Sequence, residues 1–178
     1  MNRMTGAAAA VLCAALSEPS LAQTAPTPDV SQADTQAFVT QAARSTMLDL
    51  AAAKEAERKI RDPAVKTYAG QVIADDSRIE DGLKSFAERA GATFPNDLDE
   101  QRALELKDLE SSDGAQLEQK FRSSQIGGNR QAIEIFQDFG RNARDPRMKS
   151  WVDDAVGTLR KHLEAATRLP LVPTAPQG

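Results

Sequence analysis

The sequence predicts an all-α fold, a four-helix bundle made of two similar antiparallel hairpins. Three observations support this. The segment Arg61–Tyr68 recurs 83 positions later as Arg144–Trp151 with similar residue types at almost every place, which indicates an internal duplication. Apolar residues recur four and three positions apart through four long stretches, the spacing of helices that pack lengthwise. Only 4 % of the residues are aromatic, helix-forming residues are abundant, and no stretch alternates with the period of a strand.

The first 22 residues have the features of a secretory signal peptide. Arg3 precedes the apolar stretch 7–16, and Ser20-Leu21-Ala22 offers a small-x-small cleavage site before Gln23. An uncleaved anchor is the alternative, but this apolar stretch is much shorter than the roughly 20 residues that a membrane-spanning helix needs. We therefore expect an exported, periplasmic protein with residues 1–22 removed, no transmembrane segment after cleavage, and a flexible leader over residues 23–30.

The composition of the mature chain excludes several functional classes. The single cysteine, Cys13, falls inside the predicted signal peptide, so the mature chain has no disulfide, no thiol nucleophile and no cysteine-based metal site. Cleavage removes one basic residue, Arg3, and one acidic residue, Glu18, so the net charge of −4 is unchanged and argues against nucleic-acid binding. The remaining length suits one domain, which we place at residues 31–169.

The first hairpin is predicted from its capping residues. Ser31, with Asp34 three positions on, is a variant of the capping box and begins a helix that runs to about Ile60. Asp62 and Pro63 suit the N-cap and first position of a second helix, from 63 to about 90, and Gly91 suits its C-terminal end. The predicted inward positions are Phe38, Ala42, Ser45, Asp49, Ala52 and Ala56, then Val65, Ala69, Val72, Asp76, Ile79, Leu83, Phe86 and Ala90.

The connection between the hairpins, residues 92–113, is long and contains a predicted short helix from Asp99 to Leu109. Helices of about 27 residues are about 40 Å long, and such a connection can run that whole length. The second and third long helices can then be parallel, which is the ferritin-like arrangement with one long crossover.

The second hairpin consists of a third long helix over about 115–143 and a fourth that follows Asp145-Pro146 and ends at Leu169. A proline-rich, disordered tail is predicted for residues 170–178. The predicted inward positions are Ile126, Asn129, Ile133, Phe136, Gly140 and Ala143, then Met148, Val152, Ala155, Leu159, His162 and Ala166. We expect both hairpins to share one hydrophobic core, to which Phe86, Phe136, Trp151 and Leu159 contribute.

Each long helix carries one polar residue at a position where its period predicts burial: Asp49, Asp76, Asn129 and His162. Taken singly, such residues are ordinary hydrogen-bonded core positions. Because buried polar groups need partners, four at one level could supply them to each other. We expect His162 to pair with Asp76, which would raise the pKa of the imidazole and make stability fall as the pH rises through that value.

The sequence from about Asp34 to Leu169 resembles the exported bacterial domain-of-unknown-function family 4142, which is grouped with ferritin-like bundles. The motifs that carry the resemblance are Phe38-Val39, Asp62-Pro63-x-Val65-Lys66, Asp75-Asp76, Phe94-Pro95 and the run from Val156 to Leu163. The resemblance implies a ferritin-like bundle and no established reaction.

This chain departs from the family pattern at its polar positions. Family members typically have Asp-His where this chain has Asp75-Asp76 and again near Gly128-Asn129, and a first-helix Glu near Asp49. The histidine that this chain retains is His162. Di-iron bundles use carboxylates from all four helices and two Glu-x-x-His pairs, so one His, two Asp and one Asn make a poor iron or zinc site.

Two main hypotheses follow for the function. The first is a non-catalytic binding, structural or stress-related envelope protein with an unidentified protein or envelope partner and no cofactor. The second is a periplasmic metal or small-ligand binder that uses the polar set in the bundle core as a degenerate ferritin-like site. Enzymatic activity as a metal-dependent oxidoreductase or hydrolase is a third hypothesis. It ranks below the other two, because no nucleophile–histidine arrangement or phosphate-binding loop is recognisable in the sequence.

Overall fold

The computed structural model describes residues 30–170, and all of its regular structure is helical. The five helices are α1 (Gln32–Lys59), α2 (Pro63–Ala90), α3 (Glu100–Glu110), α4 (Gly114–Asn142) and α5 (Pro146–Arg168). The predicted all-α class is confirmed, and the count is five rather than four because the connection contains the expected short helix, α3. The predicted signal peptide, most of the predicted leader and most of the proline-rich tail lie outside the described residues.

The helices begin where the sequence places capping residues. Ser31 Oγ accepts a hydrogen bond from the backbone N–H of Asp34, and the Asp62 carboxylate accepts from two N–H groups in the first turn of α2. Asp145 does the same for Arg147 at the start of α5. Each of these bonds satisfies a backbone donor that a helix start would otherwise leave free. The recurring Asp-Pro pair therefore performs the same task in both hairpins.

The contacts between α1 and α4 fix the direction of the second hairpin. The rings of Phe38, near the start of α1, and Phe139, near the end of α4, stack with centroids 4.0 Å apart. At the opposite end, Lys59 Nζ donates to the backbone carbonyls of Glu110 and Ser112, just before α4 begins. Helix α4 is therefore antiparallel to α1 and runs in the same direction as α2, as the length of the connection predicts. The short helix α3 packs against α1 and α4.

The apolar interior is divided into two clusters rather than one, but both hairpins contribute to each cluster, and the four residues expected in the core all belong to the upper one or pack against it. The upper cluster joins the N-terminal halves of α1 and α5 to the C-terminal halves of α2 and α4, and the lower cluster joins the remaining halves. The upper cluster is centred on Phe38, Leu83, Phe86, Phe136, Val152 and Leu159. The lower cluster is centred on Ala53, Val65, Tyr68, Val72, Leu117 and Phe121.

The buried face of α4 agrees with the prediction at Asn129, Phe136 and Gly140 but differs from it at two positions. Ile126 and Ile133 are only partly buried, whereas Gln125 and Ala132, one position earlier, are fully enclosed. Trp151 is also only partly buried and packs at the edge of the upper cluster. The glycines in the middle of α4 obscured the periodicity, because they leave no apolar side chain to mark the inner face. None of the helices within residues 30–170 is long and apolar enough to span a membrane.

Candidate functional site

A layer of buried polar side chains separates the two apolar clusters. Each long helix contributes a residue to it from between its upper and lower apolar residues, so the layer crosses the whole interior, and the Tyr68 hydroxyl reaches it from the lower cluster. We define the polar layer as Asp49 on α1, Tyr68 and Asp76 on α2, Gln125 and Asn129 on α4, and His162 on α5. The four residues selected from the sequence are all in this set.

On the side of the layer nearest α1, Gln125 takes part in every hydrogen bond. Its side-chain carbonyl accepts a hydrogen bond of 2.9 Å from the Tyr68 hydroxyl, and its amide nitrogen donates to Asp49 Oδ1 at 3.3 Å. The Asn129 amide in turn donates to the backbone carbonyl of Gln125 at 2.7 Å. Because Gln125 is 0 % exposed, these bonds replace the water that its amide group loses on folding. The chain of bonds connects α2, α4 and α1.

The Asp49 carboxyl occupies space that is free because residue 128 is a glycine and has no side chain. A Cβ atom at position 128 would lie 2.9 Å from Asp49 Oδ1 and 3.5 Å from Oδ2. Real Cβ atoms do not approach other atoms this closely, so any larger residue at 128 would push the carboxyl away from Gln125. A Cβ at the neighbouring Gly127 would meet no atom within 4 Å. Of the two glycines, only Gly128 is required by the site.

His162 lies on the other side of the layer, against α2. Its Nε2 is 3.1 Å from Asp75 Oδ2, and its Nδ1 is 3.6 Å from Asp76 Oδ1. The hydrogen-bond partner is therefore Asp75, and the expectation that Asp76 is the principal partner is wrong. Asp75 is partly exposed at the edge of the layer, whereas Asp76 points into it.

Burial sets the protonation states in the layer. Burial, together with the negative charges of Asp76 and Glu105, raises the pKa of Asp49 well above the ordinary aspartate value. Burial and the neighbouring Asp75 raise the pKa of Asp76 to about 7. The pKa of the Tyr68 hydroxyl is raised for the same reason, first by burial and then by the two aspartates.

The pKa of His162 is lowered, which contradicts the expected increase. Burial disfavours the charged imidazolium, and the attraction of Asp75 only partly offsets this effect. A neutral ring that donates from Nε2 to Asp75 leaves Nδ1 as an acceptor facing Asp76. The distance of 3.6 Å to Asp76 Oδ1 is too long for a hydrogen bond, and neither atom has another partner within the described residues. Burial thus favours the neutral forms of Asp49, Asp76 and His162.

The side chains of the polar layer are poorly suited to hold a metal ion. Three atoms of the layer are buried and have no hydrogen-bond partner within the described residues: Asp76 Oδ1, Asn129 Oδ1 and His162 Nδ1. They are metal-ligand types, but residues 30–170 contain no group of three or more His, Cys, Asp or Glu side chains that could hold a metal ion. A carboxylate-bridged metal pair of the kind built in ferritin-like bundles needs more carboxylates than this layer provides.

Sequence reasoning missed Tyr68, Asp75 and Gln125. Gln125 could have been found, because Leu117, Phe121, Gln125 and Asn129 follow one another at intervals of four residues. Tyr68 precedes the predicted inward position Ala69, and its long ring reaches the layer from there. No feature of the sequence distinguishes Asp75 from Asp76 as the partner of His162, because that role depends on which nitrogen of the ring faces each carboxylate.

Comparisons with known proteins agree with this description of the fold. The crystal structure of a DUF305 fragment from Deinococcus radiodurans is similar, with a TM-score of 0.68 and 16 % sequence identity over 79 % of this chain and 96 % of that one. At this identity the similarity concerns the fold alone. No curated protein matches the sequence. The family model for the domain of unknown function DUF4142 matches residues 19–169. The chain therefore belongs to the DUF4142 family.

Proposed function

We propose that this protein is an exported, non-catalytic binding domain of the bacterial envelope with ferritin-like connectivity that arose by duplication of one hairpin. The N-terminal segment ending in Ser20-Leu21-Ala22 supports export. The parallel α2 and α4 and the two Asp-Pro helix starts support the connectivity and the duplication.

The observation that carries the non-catalytic role is the burial of the one histidine and of the carboxyl group that faces its Nδ1. Asp76 and His162 are each 2 % exposed, and they face each other and Asp75 rather than an open cleft. A general acid or base must come within hydrogen-bond distance of its substrate. We infer that Asp76 and His162, which are buried between the two apolar clusters, stabilise the fold and do not act on a substrate.

Activity profiling of the purified protein tests this role. We expect no hydrolase or oxidoreductase activity that is lost when His162→Gln is introduced. Turnover that disappears in this variant but survives in Asp138→Asn, a change at an exposed carboxylate near the end of α4, would contradict the proposal. Export is tested separately, since intact-mass analysis of periplasmic protein should show Gln23 as the first residue.

A second candidate function is the binding of a metal ion or small ligand inside the polar layer. The observation that favours it is the set of three unpartnered atoms on Asp76, Asn129 and His162. Elemental analysis and native mass spectrometry of protein purified without added metal distinguish the two candidates. A stoichiometric metal or small molecule that is lost in Asn129→Leu would favour the second candidate, and the absence of both would favour the first.

A further inference from the structure

A groove on the surface of the molecule leads to one member of the polar layer. It lies between α1, α3 and α4 and has a volume of about 680 Å³. This volume is in the range of pockets that hold small organic molecules. Its walls are rich in hydroxyl and amide side chains, and Asp49 forms part of its floor. We call it the α3 groove, after the short helix that covers it.

The Asp49 carboxyl at the floor is buried but incompletely bonded. Its side chain is 3 % exposed, and within the described residues it accepts one hydrogen bond, from Gln125 to Oδ1. Oδ2 receives no hydrogen bond from residues 30–170. Gly127 and Gly128 line the groove beside it and carry no side chain that could close the approach. A nearly buried acid thus faces a cavity with one oxygen free.

The charges around the groove leave an acidic excess at Asp49. Arg102 and Lys120 are the basic side chains among the lining residues, and each is already paired: Arg102 with Asp99 at 2.5 Å and Lys120 with Asp108 at 2.6 Å. Glu105, on α3, contributes a second carboxylate to the lining and is bonded to the Ser124 hydroxyl at 2.6 Å. A ligand that complements this groove brings positive charge to Asp49 and Glu105.

We propose that the α3 groove binds a small organic cation through a primary ammonium group, which pairs with Asp49 at the floor and Glu105 on the wall. The serine and glutamine side chains of the walls then bond the polar part of the same molecule. An organic ion fits better than a bare metal ion because the cavity far exceeds the volume of one ion. Within residues 30–170, moreover, no suitable cluster of metal ligands is present.

Binding of an ammonium ion at Asp49 should release the proton of its carboxyl group. The groups that face Asp49 are Asp76 and Tyr68 from α2, Glu105 and Arg102 from α3, and the neutral Gln125 from α4. Burial and the two acids favour the protonated carboxyl in the free protein, so an entering ammonium ion must displace its proton. Affinity should therefore rise with pH up to the raised pKa of Asp49, while an alkylammonium ion, with a pKa near that of lysine at about 10.4, stays charged.

The test uses n-butylamine as the probe and 1-butanol as its uncharged counterpart. Nitrogen-15 NMR titration of the intact protein should show saturable shifts of the Gly127 and Gly128 amides with the amine and none with the alcohol. Asp49→Asn should weaken binding at least about tenfold, the factor that corresponds to loss of one charged hydrogen bond. Asp138→Asn, whose carboxylate is exposed and lies away from the groove, should change it by less than about twofold.

A second variant makes the test independent of the folding of Asp49→Asn. Gly127→Leu adds a large apolar side chain to the lining of the groove, at a position where a Cβ meets no atom within 4 Å, and leaves residue 49 itself unchanged. It should abolish the shifts of the remaining groove amides. Calorimetry in two buffers of different ionisation enthalpy should also show proton release on binding. Equal shifts with 1-butanol, unchanged binding in both variants, or no saturable binding would overturn the proposal.

The proposal rests on the binding role proposed above, and the two can fail separately. Failure of the amine to bind removes the groove site but leaves the non-catalytic role standing. Binding that depends on Asp49, followed by chemical conversion of the amine, would support the site and contradict the non-catalytic role.

Discussion

The two adjacent glycines of α4 provide a matched pair of substitutions that tests the geometry of the polar layer. Both lie in the interior of the same helix, and Gly→Ala gains helix propensity of about 1 kcal/mol at either position. They differ in what the new methyl group meets. At Gly127 it meets no atom within 4 Å, whereas at Gly128 it would lie 2.9 Å from Asp49 Oδ1.

The expected effects have opposite signs. Gly127→Ala should stabilise the protein by about 1 kcal/mol, which raises Tm by roughly 2–4 °C for a chain of this size. Gly128→Ala makes the same gain but displaces the Asp49 carboxyl and breaks its bond with Gln125. Overpacking costs about 1–3 kcal/mol, and a buried polar group left unbonded costs about 1–3 kcal/mol more. The net result for Gly128→Ala should be a destabilisation of roughly 1–5 kcal/mol.

Urea denaturation followed by circular dichroism at the helix band measures both variants. The free energies of unfolding should rank Gly127→Ala above the wild type and Gly128→Ala below it. The double variant Asp49→Ala with Gly128→Ala restores space for the methyl group and should recover part of the loss. If the two single variants are equally stable, Asp49 does not pack against α4 as described, and the layer is misplaced.

Three further predictions concern the core and the titrating groups. Leu159→Ala should lower the free energy of unfolding by about 2–5 kcal/mol in urea denaturation, because Leu159 is buried in the upper cluster; a loss below about 0.5 kcal/mol would refute its placement. The pKa of Asp76 is raised from 3.8 to about 7, so its buried neutral carboxyl favours folding at low pH, and this contribution is lost as the pH rises through about 7. Asp76→Asn should therefore reduce the decline of stability between pH 4 and 7, and an unchanged decline would contradict that assignment. The lowered pKa of His162 has the opposite consequence: its neutral ring contributes stability above pH 6.5 that is lost as the pH falls. His162→Gln should lower the free energy of unfolding more at pH 8 than at pH 5. The reverse order would mean that the pKa of His162 is raised, as expected from the sequence.

The sequence predicted the helices well because its local signals agree with the final packing. Ser31, Asp62 and Asp145 mark helix starts through bonds to their own first turns, and Gly91 ends α2 with a positive φ of 64°. These are interactions between near neighbours in the chain. The direction of α4 was also predictable, because a connection of this length can run along the whole bundle and so permits α2 and α4 to be parallel.

The pairing within the polar layer was less predictable because it depends on distances between helices. Spacing placed His162 on an inner face, but it could not say whether Asp75 or Asp76 reaches its Nε2. The sign of its pKa change depended on the balance between burial and one carboxylate, and burial is the larger effect. On α4 the prediction was correct at Asn129 and Phe136 but one residue away at Ile126, where Gly127 and Gly128 hide the period next to the point at which Gln125 enters the layer.

The central claim is that the polar layer is buried and that burial favours the neutral forms of its titratable groups, and His162 reports on it directly. The chain has one histidine, so nitrogen-15 NMR of its ring needs no assignment. We expect two distinct ring nitrogens at neutral pH, with Nε2 protonated toward Asp75 and Nδ1 unprotonated toward Asp76, and a pKa below 6.5. A pKa above 6.5, with both ring nitrogens protonated at pH 7, would contradict the neutral layer.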